Sequence, residues 1–119
     1  LASPLVVTTP LLDCSSGVCH PYLSPLQQDI LLNTEVIAIN QDTTPAGLLV
    51  SPPGRGARVY ARNLTDGSVA VALYNPEDED VSGAVDFAWL GWPAAASAAA
   101  RDLWARRDLG VSTGRYPAR

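Results

Sequence analysis

Two β-like runs, residues 57–64 and 67–75, flank Thr65-Asp66-Gly67, and no other feature constrains the fold as strongly. In the second run Val69, Val71 and Leu73 alternate with Ala70, Ala72 and Tyr74. A period of two puts alternate side chains on opposite faces of a strand. Asp-Gly between two such runs signals a β-hairpin. With 119 residues the chain has the length of one ordinary domain and can bury a core without metals or many disulfides.

The same pattern extends towards the C-terminus. Pro52-Pro53-Gly54-Arg55-Gly56 reads as a loop, and Asn75-Pro76 followed by Glu77-Asp78-Glu79-Asp80 reads as an acidic, solvated turn. Residues 81–90 predict a strand with Val85, Phe87 and Trp89 on one face, and residues 99–104 a further strand despite their alanines. Residues 109–114 open a last hairpin, with Arg119 reached before a returning strand. The expectation from residue 44 onward is an antiparallel, Greek-key-type β-sandwich, mainly β and incomplete, lacking its final strand.

Residues 1–43 have a different character. Residues 5–9 are β-branched and apolar, bounded by Pro4 and Pro10, as in a strand buried on both faces. A polar loop follows with Cys14 and Cys19, whose spacing, with Gly17 between them, permits a small disulfide loop; two free thiols are the alternative. Cys14, Cys19 and His20 are too few for a structural zinc site and no second cluster exists, so no metal or cofactor is called for. Ser24-Pro25-Leu26-Gln27 carries helix-start chemistry: a capping serine, proline in the first turn and glutamine as capping-box partner. Leu26, Ile30 and Leu31 then fall on one side, and Asn33 reads as a stop. Residues 34–40 predict a second short helical turn capped by Thr34, although their β-branched residues leave strand open.

Charge and hydropathy exclude several classes of function. The net charge is −4 and charged residues make up only 17%, so there is no electrostatic grip on a phosphate backbone and nucleic acid is not a partner to expect. No stretch reaches the roughly 20 apolar residues of a membrane span, so no membrane partner is expected either. The N-terminal Leu-Ala-Ser-Pro lacks a charged segment and does not read as a signal peptide, and both ends read as cut from something longer.

The run Leu32-Asn33-Thr34-Glu35-Val36-Ile37-Ala38-Ile39-Asn40-Gln41-Asp42 resembles glycoside hydrolase family 27, the α-galactosidases and α-N-acetylgalactosaminidases. Ala2-Ser3-Pro4-Leu5 is similar to that family's eighth barrel strand, and residues 59–75 to the first hairpin of its C-terminal sandwich. Asp102-Leu103-Trp104 and Asp108-Leu109-Gly110 match its later strands. The resemblance implies two parts: residues 1–43, the last strand and helix of a (β/α)8 barrel, and residues 44–119, the C-terminal sandwich. Thr9-Pro10 stands where the family often has Asn-Asp, the loop at 13–22 is unusual, and Thr43-Thr44-Pro45-Ala46-Gly47 displaces the usual glycine.

The family's retaining hydrolysis needs two carboxylates about 5–5.5 Å apart. The resemblance places both on barrel strands upstream of Leu1, so no catalytic or substrate-binding residue carries over. The surrounding Lys-x-Asp motif is also missing from a chain without lysine. This chain is expected to be inactive alone, with the catalytic barrel of the same parent chain as its partner and an α-galactoside as the substrate acting through that barrel. Asn40, Gln41 and Asp42 read as hydrogen-bonding residues of the domain junction, or else as an ordinary helix end. His20, in a polar loop, reads as exposed. Trp89 and Trp104 read as sandwich core and Trp92 as a loop residue open to sugar stacking. Asn63-Leu64-Thr65 is an N-glycosylation sequon. Together with a Cys14–Cys19 bridge it points to a secreted, vacuolar or lysosomal address. A standalone carbohydrate-binding or interaction module is the alternative reading.

Overall fold

A computed structural model describes residues 12–54 and 56–118. The strand expected at residues 5–9 lies outside them. The described chain begins with a short hairpin of β1 (Leu12–Asp13) and β2 (His20–Pro21), closed by a Cys14–Cys19 disulfide.

Helix α1 (Pro25–Leu31) starts as its residues dictate. The Gln27 backbone N–H donates to the Ser24 hydroxyl at 3.3 Å, and the Ser24 N–H donates back to the Gln27 side chain at 2.8 Å. Residues 34–40 resolve as helix, α2 (Thr34–Gln41). Its cap is Asn33 rather than Thr34. The Asn33 side-chain oxygen accepts from the N–H groups of Glu35 and Val36, at 3.1 and 3.2 Å. Its amide donates to the Leu103 carbonyl at 2.9 Å. Threonine has no second group to make that distant bond, which explains why the buried position is asparagine.

The predicted hairpin forms between β4 (Arg58–Asn63) and β5 (Val69–Tyr74), in the register Val59 opposite Leu73 and Asn63 opposite Val69. A short strand, β3 (Leu48–Leu49), adds to the β4 edge, giving the antiparallel order β3-β4-β5. The Asp66 carboxylate accepts from both the N–H and the hydroxyl of Ser68, which shapes the turn.

Beyond the acidic loop the strands end earlier than the pattern predicts. β6 covers Gly83–Asp86 and gives way to a 3-10 turn, Phe87–Leu90, because the Asp86 carboxylate accepts the Ala88 N–H at 2.9 Å. Trp89 therefore does not continue the strand face of Val85, and it is half-buried. β7 (Ser97–Asp102) likewise ends where the Asp102 carboxylate accepts from Trp104 and Ala105 N–H groups. That turn puts Trp104 in solvent, 58% exposed, and corrects its assignment to the core.

The end of the chain also differs from expectation. β8 (Arg107–Thr113) pairs with β7, and β9 (Arg115–Ala118) pairs with β6, so the last residues do return to a sheet. The switch of partner happens at Gly114, with φ 69° and hydrogen bonds to Phe87 and Ala96. A Cβ there would sit 2.6 Å from the Ala94 carbonyl oxygen, so only glycine fits.

The core is thin. Val59 on β4, Val85 on β6 and Phe87 are the buried apolar side chains among the described residues. Phe87 meets the half-buried Trp92 edge to face at 5.2 Å. Leu73 and Ala57 approach Gly83 so closely that a Cβ there would lie 3.1 and 3.2 Å from their side chains, so glycine leaves room for the Leu73 side chain of β5 against β6. The fold is a mainly antiparallel sandwich with two helices on its N-terminal side.

Candidate functional site

The most densely bonded polar cluster lies where α2 meets the first hairpin. Arg62, in β4, is only 7% exposed. Its guanidinium donates to the carbonyls of Ile39 (2.5 Å), Asp42 (2.6 Å), Thr44 and Pro45 (3.1 Å), and to the Thr44 hydroxyl at 3.1 Å. Ile39 belongs to the last turn of α2, whose carbonyls have no helical partner. A cation at that end satisfies them and also suits the negative end of the helix dipole.

Asp42 works in the opposite direction. One oxygen accepts the Thr44 N–H at 2.9 Å, and the other accepts the Thr65 N–H at 3.0 Å and the Thr65 hydroxyl at 2.7 Å. These bonds, from Thr44 first and then Thr65, hold its carboxyl well below the usual carboxylate range. The Thr44 hydroxyl donates to the Asn63 carbonyl at 2.6 Å. Helix end, connecting loop and hairpin thus form one hydrogen-bonded node. Gln41 lies exposed at the end of α2, and Asn40 is half-buried beside it.

A second attachment holds the other end of the helices. The Arg101 guanidinium makes a two-pronged ion pair with Glu35, 2.7 and 2.9 Å, and a single contact with Asp108 at 2.9 Å. Arg106 reaches Asp29 of α1 at 2.7 Å from a left-handed backbone position, φ 52°. The Arg101 contact lowers the Glu35 carboxyl below its ordinary value.

Hydrogen bonds lower several carboxyls of the described residues. Asp13, Glu35, Asp42 and Asp66 are all shifted down by hydrogen bonds, Asp13 by Ser15 and Asp66 by Ser68. A general acid needs the reverse shift. Glu77, Asp78, Glu79 and Asp80 lie exposed in a loop shaped by Asn75. Two surface depressions, of about 170 and 410 Å³, include Pro52, Ala57 and Arg58 in one and Ser82, Arg115 and Pro117 in the other, with no Asp or Glu in either lining. Among the described residues no group of His, Cys, Asp and Glu is placed to hold a metal ion. His20 and Asn63 are exposed, and no described helix is long and apolar enough to cross a membrane.

Sequence reasoning singled out Asp42 but missed Arg62, Thr44 and Thr65. The one available signal was a second arginine inside the first β-like run, four residues after Arg58. Its partners are backbone carbonyls, which leave no trace in a sequence.

The family of the alpha galactosidase C-terminal beta sandwich domain matches residues 54–119. An alpha-galactosidase from Oryza sativa subsp. japonica is 31% identical over 87 residues, 73% of this chain, which spans only 21% of that relative. Alpha-galactosidase I from Mortierella vinacea superposes with a TM-score of 0.74 at 22% identity, over 81% of this chain and 26% of that one. A GH27 β-L-arabinopyranosidase from Geobacillus stearothermophilus gives 0.72 at 24% identity, over 81% of this chain and 21% of that one. The family match covers more than half of the chain and agrees with the sandwich topology, so the chain belongs to the family of the alpha galactosidase C-terminal beta sandwich domain.

Proposed function

We propose that this chain is the C-terminal portion of a retaining α-galactosidase and that its role there is structural. Residues 1–43 complete the (β/α)8 barrel, residues 44–119 form the accessory sandwich, and the boundary falls at the Arg62–Asp42 node. Hydrolysis of terminal α-galactosides is carried out by the barrel of the same parent chain. The observation that carries the reading is the mismatch between composition and burial. The sequence is 47% hydrophobic, yet Leu26, Leu32, Leu48, Leu49 and Leu73 all stand exposed beside a three-residue apolar core among the described residues. Exposed apolar surface on that scale marks a face that another part of a protein covers, and a barrel continuous with α1 and α2 supplies it.

The test is turnover of a chromogenic α-galactoside by the 119-residue chain and by the full reading frame that contains it. Activity confined to the longer protein supports the reading; activity in the short chain, or in neither, ends it. The exposed disulfide and the exposed sequon asparagine Asn63 support a secreted, vacuolar or lysosomal address for the parent.

Exposed Trp104 favours a second reading, a sugar-binding module that acts by itself. Titration of the chain with galactosides, followed by tryptophan fluorescence, separates the two, since no shift at millimolar sugar rules out the module.

A further inference from the structure

The stapled hairpin at the start of the described chain is built unlike the rest of the molecule. Its two strands pair over two residues each, and every residue from 12 to 22 is exposed. Among the described residues its hydrogen bonds are local: the Gly17 N–H donates to the Cys14 carbonyl at 3.2 Å, the Ser15 N–H to the Asp13 carboxylate at 2.9 Å, and the Ser16 hydroxyl to the Val18 carbonyl at 3.2 Å. A disulfide in a segment with no buried residue adds nothing to a core. What it does is hold a protruding loop in one shape, which removes the ordering cost when the loop meets a ligand.

The loop has surface to offer. Leu12 is 55% exposed, Val18 61% and Tyr22 58%. Its place in the chain order says what it faces. It joins residues 5–9, read from sequence as the last barrel strand, to helix α1, whose start is fixed by the Ser24–Gln27 capping box. Loops that run from a strand into the following helix build the active-site face of a (β/α)8 barrel.

We propose that this hairpin is a wall of the parent enzyme's substrate cleft and contacts the leaving-group sugar of an α-galactosyl oligosaccharide. The inference rests on the reading that the chain completes an α-galactosidase barrel. The galactosyl ring being transferred sits at the carboxylates, deep in the barrel mouth, so the leaving group is the part that points outward. Leu12 and Tyr22 at the base of the hairpin, with Val18 in its turn, offer apolar and aromatic surface that matches the C–H face of a sugar ring, and Tyr22 keeps its hydroxyl for the ring's polar edge. The neighbouring His20 is exposed on the same hairpin and presents a second hydrogen-bonding group.

The experiment uses the full-length enzyme and two substrates: α-galactosyl fluoride, whose leaving group has no ring, and the disaccharide α-D-galactosyl-(1→6)-glucose. Replacement Tyr22→Ala is expected to lower kcat/KM for the disaccharide roughly five- to tenfold, the loss of one aromatic contact, mainly through KM. Turnover of the fluoride should stay within about twofold, since uniform binding of the galactosyl ring is untouched. The double variant Cys14→Ser, Cys19→Ser should show the same split with an unchanged melting temperature; if that variant misfolds, Tyr22→Ala with the disulfide intact decides. Equal effects on both substrates, or none on either, overturn the role of the hairpin alone. A wild-type enzyme inactive on both overturns the α-galactosidase reading and this inference with it.

Discussion

Two arginine clusters fasten the helices to the strands, and they do so by opposite physics. Arg62 is buried and satisfied by backbone carbonyls of the α2 end and the following loop. Arg101 and Arg106 are solvated, with side chains 42% and 46% exposed, and pair with the carboxylates of Glu35, Asp108 and Asp29. Removing a buried hydrogen-bonded charge leaves several acceptors without water or partner. Removing an exposed one lets water take its place. Ion pairs are easy to count, yet the attachment that matters more is the one without a carboxylate on the guanidinium.

That comparison breaks most directly at Arg62. Arg62→Ala is expected to cost about 3 kcal/mol in denaturant unfolding of the intact protein. Arg62→Lys should recover only a minor part, because an ammonium cannot span carbonyls as far apart as Ile39 and Pro45. A loss under about 1 kcal/mol for Arg62→Ala would show that the node is solvated.

Asn33→Ala comes next, at about 1–2 kcal/mol, since it removes the α2 cap and the bond to the Leu103 carbonyl together. Asn33→Thr tests the two functions apart. It should restore the cap but not the distant bond, and so recover roughly half.

Acid sharpens the contrast in a different way. The Asp42 carboxyl is lowered from its ordinary 3.8 by Thr44 and Thr65, so its contribution is fully present above that value and is lost as pH falls through the lower folded-state value. Amide exchange at Thr44 and Thr65 should therefore be unchanged between pH 7 and 5 after correction for intrinsic rates, and accelerate only below about 4. Asp42→Asn should show faster exchange at neutral pH and no acid step.

The smallest effect is expected at the exposed clasp. Arg101→Ala and Arg106→Ala should each shift stability by no more than a surface ion pair does, and the shift should shrink in high salt. A large, salt-independent loss at either position would put both attachments in the same class.

Much of the fold was legible before any coordinates. The β4–β5 hairpin follows from period two and Asp-Gly, and the α1 start follows from Ser24, Pro25 and Gln27. Both rest on neighbours close in sequence. Trp104 was misread for the opposite reason. Its neighbours looked like a strand, but the Asp102 side chain captures the next N–H groups and turns the chain outward. The β6 strand stops short at Asp86 by the same device.

By itself the sequence determined the hairpin signals, the first helix cap and the family resemblance, because local propensity and spacing are written along the chain. Tertiary structure decided the rest. It selected Asn33 over Thr34 as the cap through a carbonyl 70 residues away in sequence. It placed Arg62 on the end of α2 and sent β9 to β6 through a bend that only Gly114 allows. In each case the partner is a backbone group, identical in every residue, so only the folded chain can say which one is near.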